Sequence, residues 1–108
     1  METLLEEMGR RLRERRWQLR LTQEEVAELA GVNSQLISTA ETGKKALRPE
    51  NILKLCAVLE ISTDYLLRGD VTQADLGLLG KKLSALSPVH YRLLEDIVNA
   101  FLAALKTK

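Results

Sequence analysis

The sequence of 108 residues predicts an all-α protein, and three observations lead to this fold class. Apolar residues recur with the periodicity that places them on one face of a helix. Short polar breaks that contain Gly, Pro, Ser, Thr or Asn separate these segments. No segment alternates β-branched and polar residues as a half-buried strand does. A chain of this length accommodates one domain, or one compact domain with an appended arm, rather than two full domains.

The first two predicted helices cover residues 3–20 and the segment that follows Thr22. Thr22 predicts the N-cap of the second helix, because Glu25 three residues later completes a capping box. Gly31 follows where a left-handed C-cap is needed. The apolar face of the first helix is expected to consist of Leu4, Leu5, Met8, Leu12 and Leu19. The inward side of the second is expected to consist of Val26, Leu29 and Ala30.

A third helix is predicted over residues 34–42, with Asn33 or Ser34 as its N-cap and Gly43 at its C-terminal end. Its apolar residues, which can hold it to the core, are Leu36, Ile37 and Ala40. Its outward polar residues are Ser34, Gln35, Ser38 and Thr39. Two short helices joined by a tight turn, the second with exposed polar side chains, are typical of proteins that read the major groove of DNA. In such a helix Gln35 can pair with the edge of an adenine, and Ser or Thr can meet several base edges.

Two further helices are predicted before a linker. Pro49 occupies the first position of the fourth helix, where its missing N–H costs nothing. Ser62 caps a short fifth helix that ends at Gly69. The linker, residues 69–75, divides the chain into domains at 1–69 and 70–108. The buried side of the fourth helix is expected to consist of Ile52, Leu53, Leu55, Cys56 and Leu59.

The charge of the chain is nearly balanced, with a net charge of +1 and a pI near 7.9. The distribution is uneven, because six arginines lie within residues 10–20 and a second basic group follows Gly43. Taken alone, such a run on a helix indicates a solvated face. The second basic group consists of Lys44, Lys45 and Arg48.

Several classes of protein are disfavoured by composition. The single Cys56 can form no internal disulfide and lies in no Cys/His cluster, so neither a zinc site nor any other cofactor is expected. An enzyme is not expected, because the lone His90 has no nucleophile or metal ligands at a useful spacing. No apolar run is long enough to span a bilayer or to serve as a signal peptide, so we expect no membrane association and a cytoplasmic protein.

The helix-turn-helix pattern and its flanks resemble a known family. Thr22-Gln-Glu-Glu-Val-Ala, Gly31-Val-Asn, Ile37-Ser38, Glu41 and Gly43 are similar to the helix-turn-helix of the Cro/C1-type regulators, also called the XRE family. The flanking residues that fit the family's pattern are Arg16, Pro49, Leu53, Leu55, Leu59, Ile61, Tyr65-Leu-Leu and Gly69. The resemblance implies a five-helix lambda-repressor-like DNA-binding domain, to which we expect a C-terminal helical dimerisation extension to be added. It also implies a sequence-specific regulator of transcription, most often a repressor, that binds a double-stranded DNA operator.

The resemblance also implies roles for individual residues. The base-reading residues would be Ser34, Gln35, Ser38 and Thr39. The phosphate-contacting residues would be Gln23, Asn33, Lys44, Lys45 and Arg48. Arg16 and Glu41 would form a partly buried, structural ion pair. The family often has a larger residue where this chain has Ala40, so we expect shallow packing under the third helix or compensation by Trp17 or Leu36.

The last predicted helix begins at Ser87-Pro88 and has a wide apolar stripe. The stripe consists of Val89, Leu93, Leu94, Ile97, Val98, Phe101, Leu102 and Leu105. It can pair with the same stripe of a second chain, or it can complete one core as part of a sixth and seventh helix. Proteins of this kind usually bind half-sites about 34 Å apart as symmetric dimers, which favours a homodimer. No small-molecule effector is expected, because no convergent polar cluster marks a pocket.

An alternative function on the same fold is that of an antitoxin or another protein-interaction module. Such a protein is expected to carry a long polar arm that folds on its partner. The apolar and well-capped last helix argues against this alternative.

Overall fold

The computed structural model describes residues 1–107, and these residues form seven helices. The helices are α1 (Leu4–Gln18), α2 (Gln23–Ala30), α3 (Ser34–Glu41), α4 (Pro49–Leu59), α5 (Thr63–Arg68), α6 (Gln73–Ser84) and α7 (Pro88–Lys106). No strand occurs within 1–107, so the predicted all-α fold class is confirmed. No helix in this part of the chain is long and apolar enough to cross a membrane.

The predicted helix caps are confirmed for the second to fifth helices. Thr22 and Glu25 form the expected capping box, with the Thr22 hydroxyl accepting from the Glu25 N–H at 3.0 Å. Gly31 then ends α2 with a left-handed φ of 71°. Asn33, rather than Ser34, caps α3. Pro49 occupies the first turn of α4, and Ser62 caps α5.

The core lies among α1 to α5. Its buried apolar residues are Met8, Leu12, Val26, Ala27, Ala30, Ile37, Ala40, Leu55, Cys56, Leu59, Ile61 and Leu66. The predictions of burial are wrong for Leu4, Leu29 and Leu53, which are all more than half exposed. Because each residue advances a helix by about 100°, Leu29 and Leu53 lie more than a quarter turn from the centre of the buried face of their helices. Leu4 lies in the first turn of α1, at the edge of that face.

Helix α1 approaches the end of α3 closely at Gly9. A Cβ atom at this position would lie 2.5 Å from the Glu41 carbonyl oxygen and still closer to that of Ala40. Leu36 packs against the core, whereas Trp17 remains 59% exposed. The prediction that Trp17 compensates for the small Ala40 is therefore wrong. The Trp17 ring lies instead against the guanidinium groups of two arginines of α1.

Two arginines of α1 bind the ends of other helices. Arg11 donates from Nη1 to the Leu66 carbonyl oxygen in α5 at 2.9 Å. Arg15 donates to two carbonyl oxygens at the end of α4 at 2.8 and 3.3 Å. Carbonyl groups in the last turn of a helix lack intrahelical partners and carry partial negative charge, so these cations stabilise them. A solvated face is therefore the wrong interpretation for Arg11 and Arg16, which are both buried.

The structure contains two compact units, Met1–Leu76 and the part from Gly77 onward. Asp75, in the first turn of α6, belongs to the first unit because its carboxylate binds Ser62 at the start of α5. Asp75 accepts from the Ser62 N–H at 2.7 Å and from the Ser62 hydroxyl at 2.6 Å. It also accepts from the N–H and hydroxyl of Thr72. The functional division into residues 1–69 and 70–108 stays a prediction.

The second unit contains the rest of α6 and all of α7. Ser87 caps α7, and its hydroxyl accepts from the His90 N–H at 3.2 Å. Pro88 occupies the first turn, as predicted. No residue of α6 or α7 is buried in the single chain.

Candidate nucleic-acid interface

Residues 22–43 form two short helices joined by a tight turn, and buried residues hold the second helix in place. Ile37 and Ala40 of α3 belong to the core. Asn33 caps α3 through its Oδ1, which accepts from the Leu36 N–H at 2.8 Å. Gly43 follows α3 with a φ of 73°. The outer side of α3 is consequently presented on a rigid support.

Arg16 and Glu41 join α1 to the end of α3. Arg16 donates from Nε to Glu41 Oε2 at 2.7 Å and from Nη2 to Glu41 Oε1 at 2.9 Å. Both residues are buried, and a third donor of Arg16 binds the Leu21 carbonyl oxygen. Hydrogen bonding to Glu41 raises the pKa of Arg16 above its ordinary value, although burial acts in the opposite direction. A two-pronged pair of this kind fixes orientation as well as distance.

The four expected base-reading residues lie on α3 with different exposures. Ser34 and Gln35 are exposed, and Ser38 and Thr39 are half-buried. No hydrogen bond within residues 1–107 involves the side chain of Gln35, so its amide is available to a ligand. The Thr39 hydroxyl donates to carbonyl oxygens of its own helix, at 3.0 Å to that of Gln35. Thr39 can therefore offer a methyl group and an acceptor to a base, but its proton is already used.

The expected phosphate contacts that follow α3 are exposed cations. Within the described chain, no carboxylate forms an ion pair with Lys44, Lys45 or Arg48. A first groove has both Lys45 and Arg48 in its lining, together with the candidate reading residues Gln35 and Thr39. Lys44 lies outside this lining. The groove therefore combines side chains that can bind bases with side chains that can bind phosphates.

The other two expected phosphate contacts already have partners in the protein. Asn33 uses its oxygen as the cap of α3 and keeps its amide N–H groups. Gln23 donates from Nε2 to Glu41 Oε1 at 3.1 Å. Gln23 also contributes to a second groove, which includes Ser34 and has no lining residue in common with the first. The buried carboxylate of Glu41, the last residue of α3, thus holds the amide of Gln23 in place.

The expected pairing residues of α7 are mostly uncovered in the single chain. Leu94 is half-buried, and the other seven are exposed. Ile97 and Phe101, one turn apart, are 66% and 62% exposed. Apolar side chains of this number on one helix mark an interaction surface more often than a solvated face.

The sequence patterns did not reveal the structural roles of Gly9, Arg11, Arg15 and Asp75, which hold helices together, or the position of Arg20 in the second groove. Each acts across a long distance in sequence or through a backbone conformation. A glycine within the first helix was the one available signal, because glycine weakens a helix interior unless close packing requires it.

Comparison with known proteins gives a family match within the first unit and a sequence relative whose match covers more of the chain. A family model described as a helix-turn-helix domain matches residues 7–68. The chain is 30% identical over 106 residues to repressor protein C2 of Salmonella phage P22, a match that covers 82% of this chain and 49% of the repressor. The chain thus spans about half the length of this curated relative.

Solved structures also match. The crystal structure of the P22 c2 repressor with a synthetic operator is 40% identical with a TM-score of 0.57, covering 58% of this chain and 96% of that chain. The restriction-modification controller protein C.AhdI from Aeromonas hydrophila is 37% identical with a TM-score of 0.56, covering 57% of this chain and 94% of that chain.

Proposed function

The chain belongs to the helix-turn-helix family of Cro/C1-type DNA-binding regulators, and from this membership we propose that it regulates transcription by binding a specific double-stranded DNA operator. The predicted resemblance and the lambda-repressor-like fold are confirmed by these matches. One observation supports the proposal most directly. The free amide of Gln35 lies in the same groove as Lys45 and Arg48, which have no acidic partner within residues 1–107.

In the proposed complex, α3 enters the major groove of DNA. The groove is about 12 Å wide and admits one helix. Gln35 pairs with the N6 and N7 edge of an adenine, and Ser34, Ser38 and Thr39 contact neighbouring bases. Lys44, Lys45, Arg48, Gln23 and Asn33 bind the phosphates on either side, which positions α3 without reading sequence.

We propose repression as the direction of regulation. The P22 relative is named a repressor, and its solved structure contains a synthetic operator. A protein that occupies DNA near a promoter can block transcription without any catalytic group. The cytoplasmic location expected from the sequence is compatible with binding to DNA.

A second copy of this chain is the proposed partner of the α7 stripe. The helix has 19 residues, which corresponds to a length of about 28 Å. A symmetric pair of such helices would cover both stripes at once, because a two-fold interface is formed by the same surface patch of each copy. Two copies also provide two reading helices for two half-sites of an operator.

Selection of bound fragments from random DNA tests the proposed function. We expect a two-fold symmetric sequence with half-sites about one helical turn apart. Gln35→Ala should then weaken binding by about 1–3 kcal/mol per half-site and relax the preference at one base pair of each half-site, whereas Lys44→Ala should weaken binding to all sequences equally. Gln73→Ala is the matched control, because Gln73 is exposed and lies outside both grooves. If no sequence were enriched, the proposed function would be wrong.

Sedimentation tests the proposed dimer separately. The wild-type protein should have the mass of two chains, and the double variant with Ile97→Asp and Phe101→Asp should have the mass of one. Leu53→Asp is the control, since Leu53 is an equally exposed leucine on α4. A monomeric wild-type protein, or a monomer produced by Leu53→Asp alone, would contradict pairing through α7.

A further inference from the structure

Helix α1 ends in a backbone arrangement that normally contains glycine. The Arg20 N–H donates to the Trp17 carbonyl oxygen at 2.9 Å, and the Leu21 N–H donates to that of Arg16 at 3.0 Å. This pair of hydrogen bonds is the Schellman motif, which requires a left-handed residue just after the helix. Here that residue is Arg20, with a φ of 59°. A side chain in this conformation costs energy that glycine would avoid.

The guanidinium of Arg20 is exposed and has no partner in residues 1–107, unlike several arginines of α1. Arg11, Arg15 and Arg16 each bind carbonyl or carboxylate oxygens of other segments. Arg10 pairs with two exposed glutamates. The strained position is thus occupied by a long cation whose charge stabilises nothing within the described fold.

The second groove places Arg20 beside residues of the proposed DNA interface. Its lining contains Gln23, a proposed phosphate contact, and Ser34, a proposed reading residue. Gln35, the next residue along α3, lines the first groove with Lys45 and Arg48. The first two residues of α3 therefore border different grooves, and each groove has an unpaired cation.

We propose that Arg20 binds a DNA backbone phosphate in the second groove, so that phosphates are bound on both sides of the start of α3. This inference rests on the proposed function. A cation in each groove fixes the reading end of α3 against both rotation and sliding, because phosphate contacts set register and orientation. Glu24 lines the same groove and is exposed, so its carboxylate opposes the phosphate.

The test measures binding to the selected operator at several salt concentrations for the wild type and four variants. Arg20→Gly removes the charge and the strain together, so its thermal stability should equal or exceed that of the wild type. Loss of one phosphate contact per chain, two in the operator complex of the proposed dimer, should reduce the slope of log affinity against log salt by about 1.8. The affinity of the wild type relative to that of Arg20→Gly should therefore fall about 12-fold between 50 and 200 mM salt.

The other variants have distinct expected results. Arg20→Lys keeps the charge and should keep the wild-type slope, and Glu24→Gln should bind more tightly than the wild type. Arg68→Ala is the matched charge control, because Arg68 is exposed and lines neither groove, and it should leave the slope unchanged. Wild-type binding with equal slopes for wild type and Arg20→Gly would overturn this inference alone. A wild type that binds no DNA would overturn the proposed function as well.

Discussion

Replacing Gly9 with alanine is expected to destabilise the protein, although alanine normally strengthens a helix. At an exposed helical position this change would stabilise by about 0.5–1 kcal/mol. The new Cβ would, however, lie 2.5 Å from the Glu41 carbonyl oxygen, and backbone atoms cannot rotate away. Overpacking of this kind costs about 1–3 kcal/mol, and rigid backbone places the cost at the upper end. We expect a net loss of about 1–2 kcal/mol and a fall in Tm of roughly 5–15 °C.

Gly80→Ala in α6 is the matched control, because a Cβ there would have no neighbour within 4 Å. This variant should gain up to about 1 kcal/mol in the free energy of unfolding. Urea unfolding followed by circular dichroism measures both variants under one condition. The interpretation of Gly9 would be refuted if Gly9→Ala were as stable as Gly80→Ala, since the approach of α1 to α3 would then not require glycine.

Three further predictions concern single side chains. Glu41→Gln should lower the free energy of unfolding by about 3 kcal/mol, because it leaves the buried Arg16 cation without a countercharge. Thermal unfolding measures this loss, and a value below about 1 kcal/mol would contradict the prediction. Burial would raise the pKa of Asp75, but hydrogen bonds from Ser62 and Thr72 outweigh it and lower the pKa. The stability that Asp75 contributes should therefore be complete above its ordinary pKa of 3.8 and disappear as the pH falls below it. Asp75→Asn should accordingly be less stable than the wild type at pH 7, by a difference that shrinks as the pH falls below 3.8, and a constant difference would exclude this origin. Burial and, to a smaller extent, the charge of Asp75 raise the pKa of Cys56 to about 11. A thiol reagent at pH 8 should therefore react with Cys56 only as fast as the protein unfolds, and rapid labelling of the native protein would contradict this.

Local signals in the sequence predicted the helices of the first unit well. Caps and turns depend on hydrogen bonds between residues a few positions apart, so Thr22, Gly31 and Ser62 could be assigned from their neighbours alone. Burial was predicted less well. Leu29 and Leu53 are as apolar as the core leucines, and only the angle at which neighbouring helices pack decides which face of each helix is covered.

The candidate site divides in the same way. The choice of α3 as the reading helix follows from its polar, uncharged outer residues, which the sequence contains directly. The engagement of the Thr39 hydroxyl and the position of Gln23 against Glu41 could not be predicted, because these contacts depend on rotamers and on the placement of distant segments.

The sequence by itself determined the fold class, the helix boundaries of α1 to α5 to within a few residues and the family, since all of these depend on periodicity, caps and local motifs. Only the tertiary structure decided the roles of the basic residues of α1. Identical arginine side chains have different roles: Arg11 caps α5, Arg15 caps α4, and Arg16 is the buried partner of Glu41. Arg20, by contrast, lies unpaired in a groove. The physical reason is that a guanidinium takes its role from the oxygen atoms that the fold places within its reach, and those atoms lie up to 55 residues away along the chain.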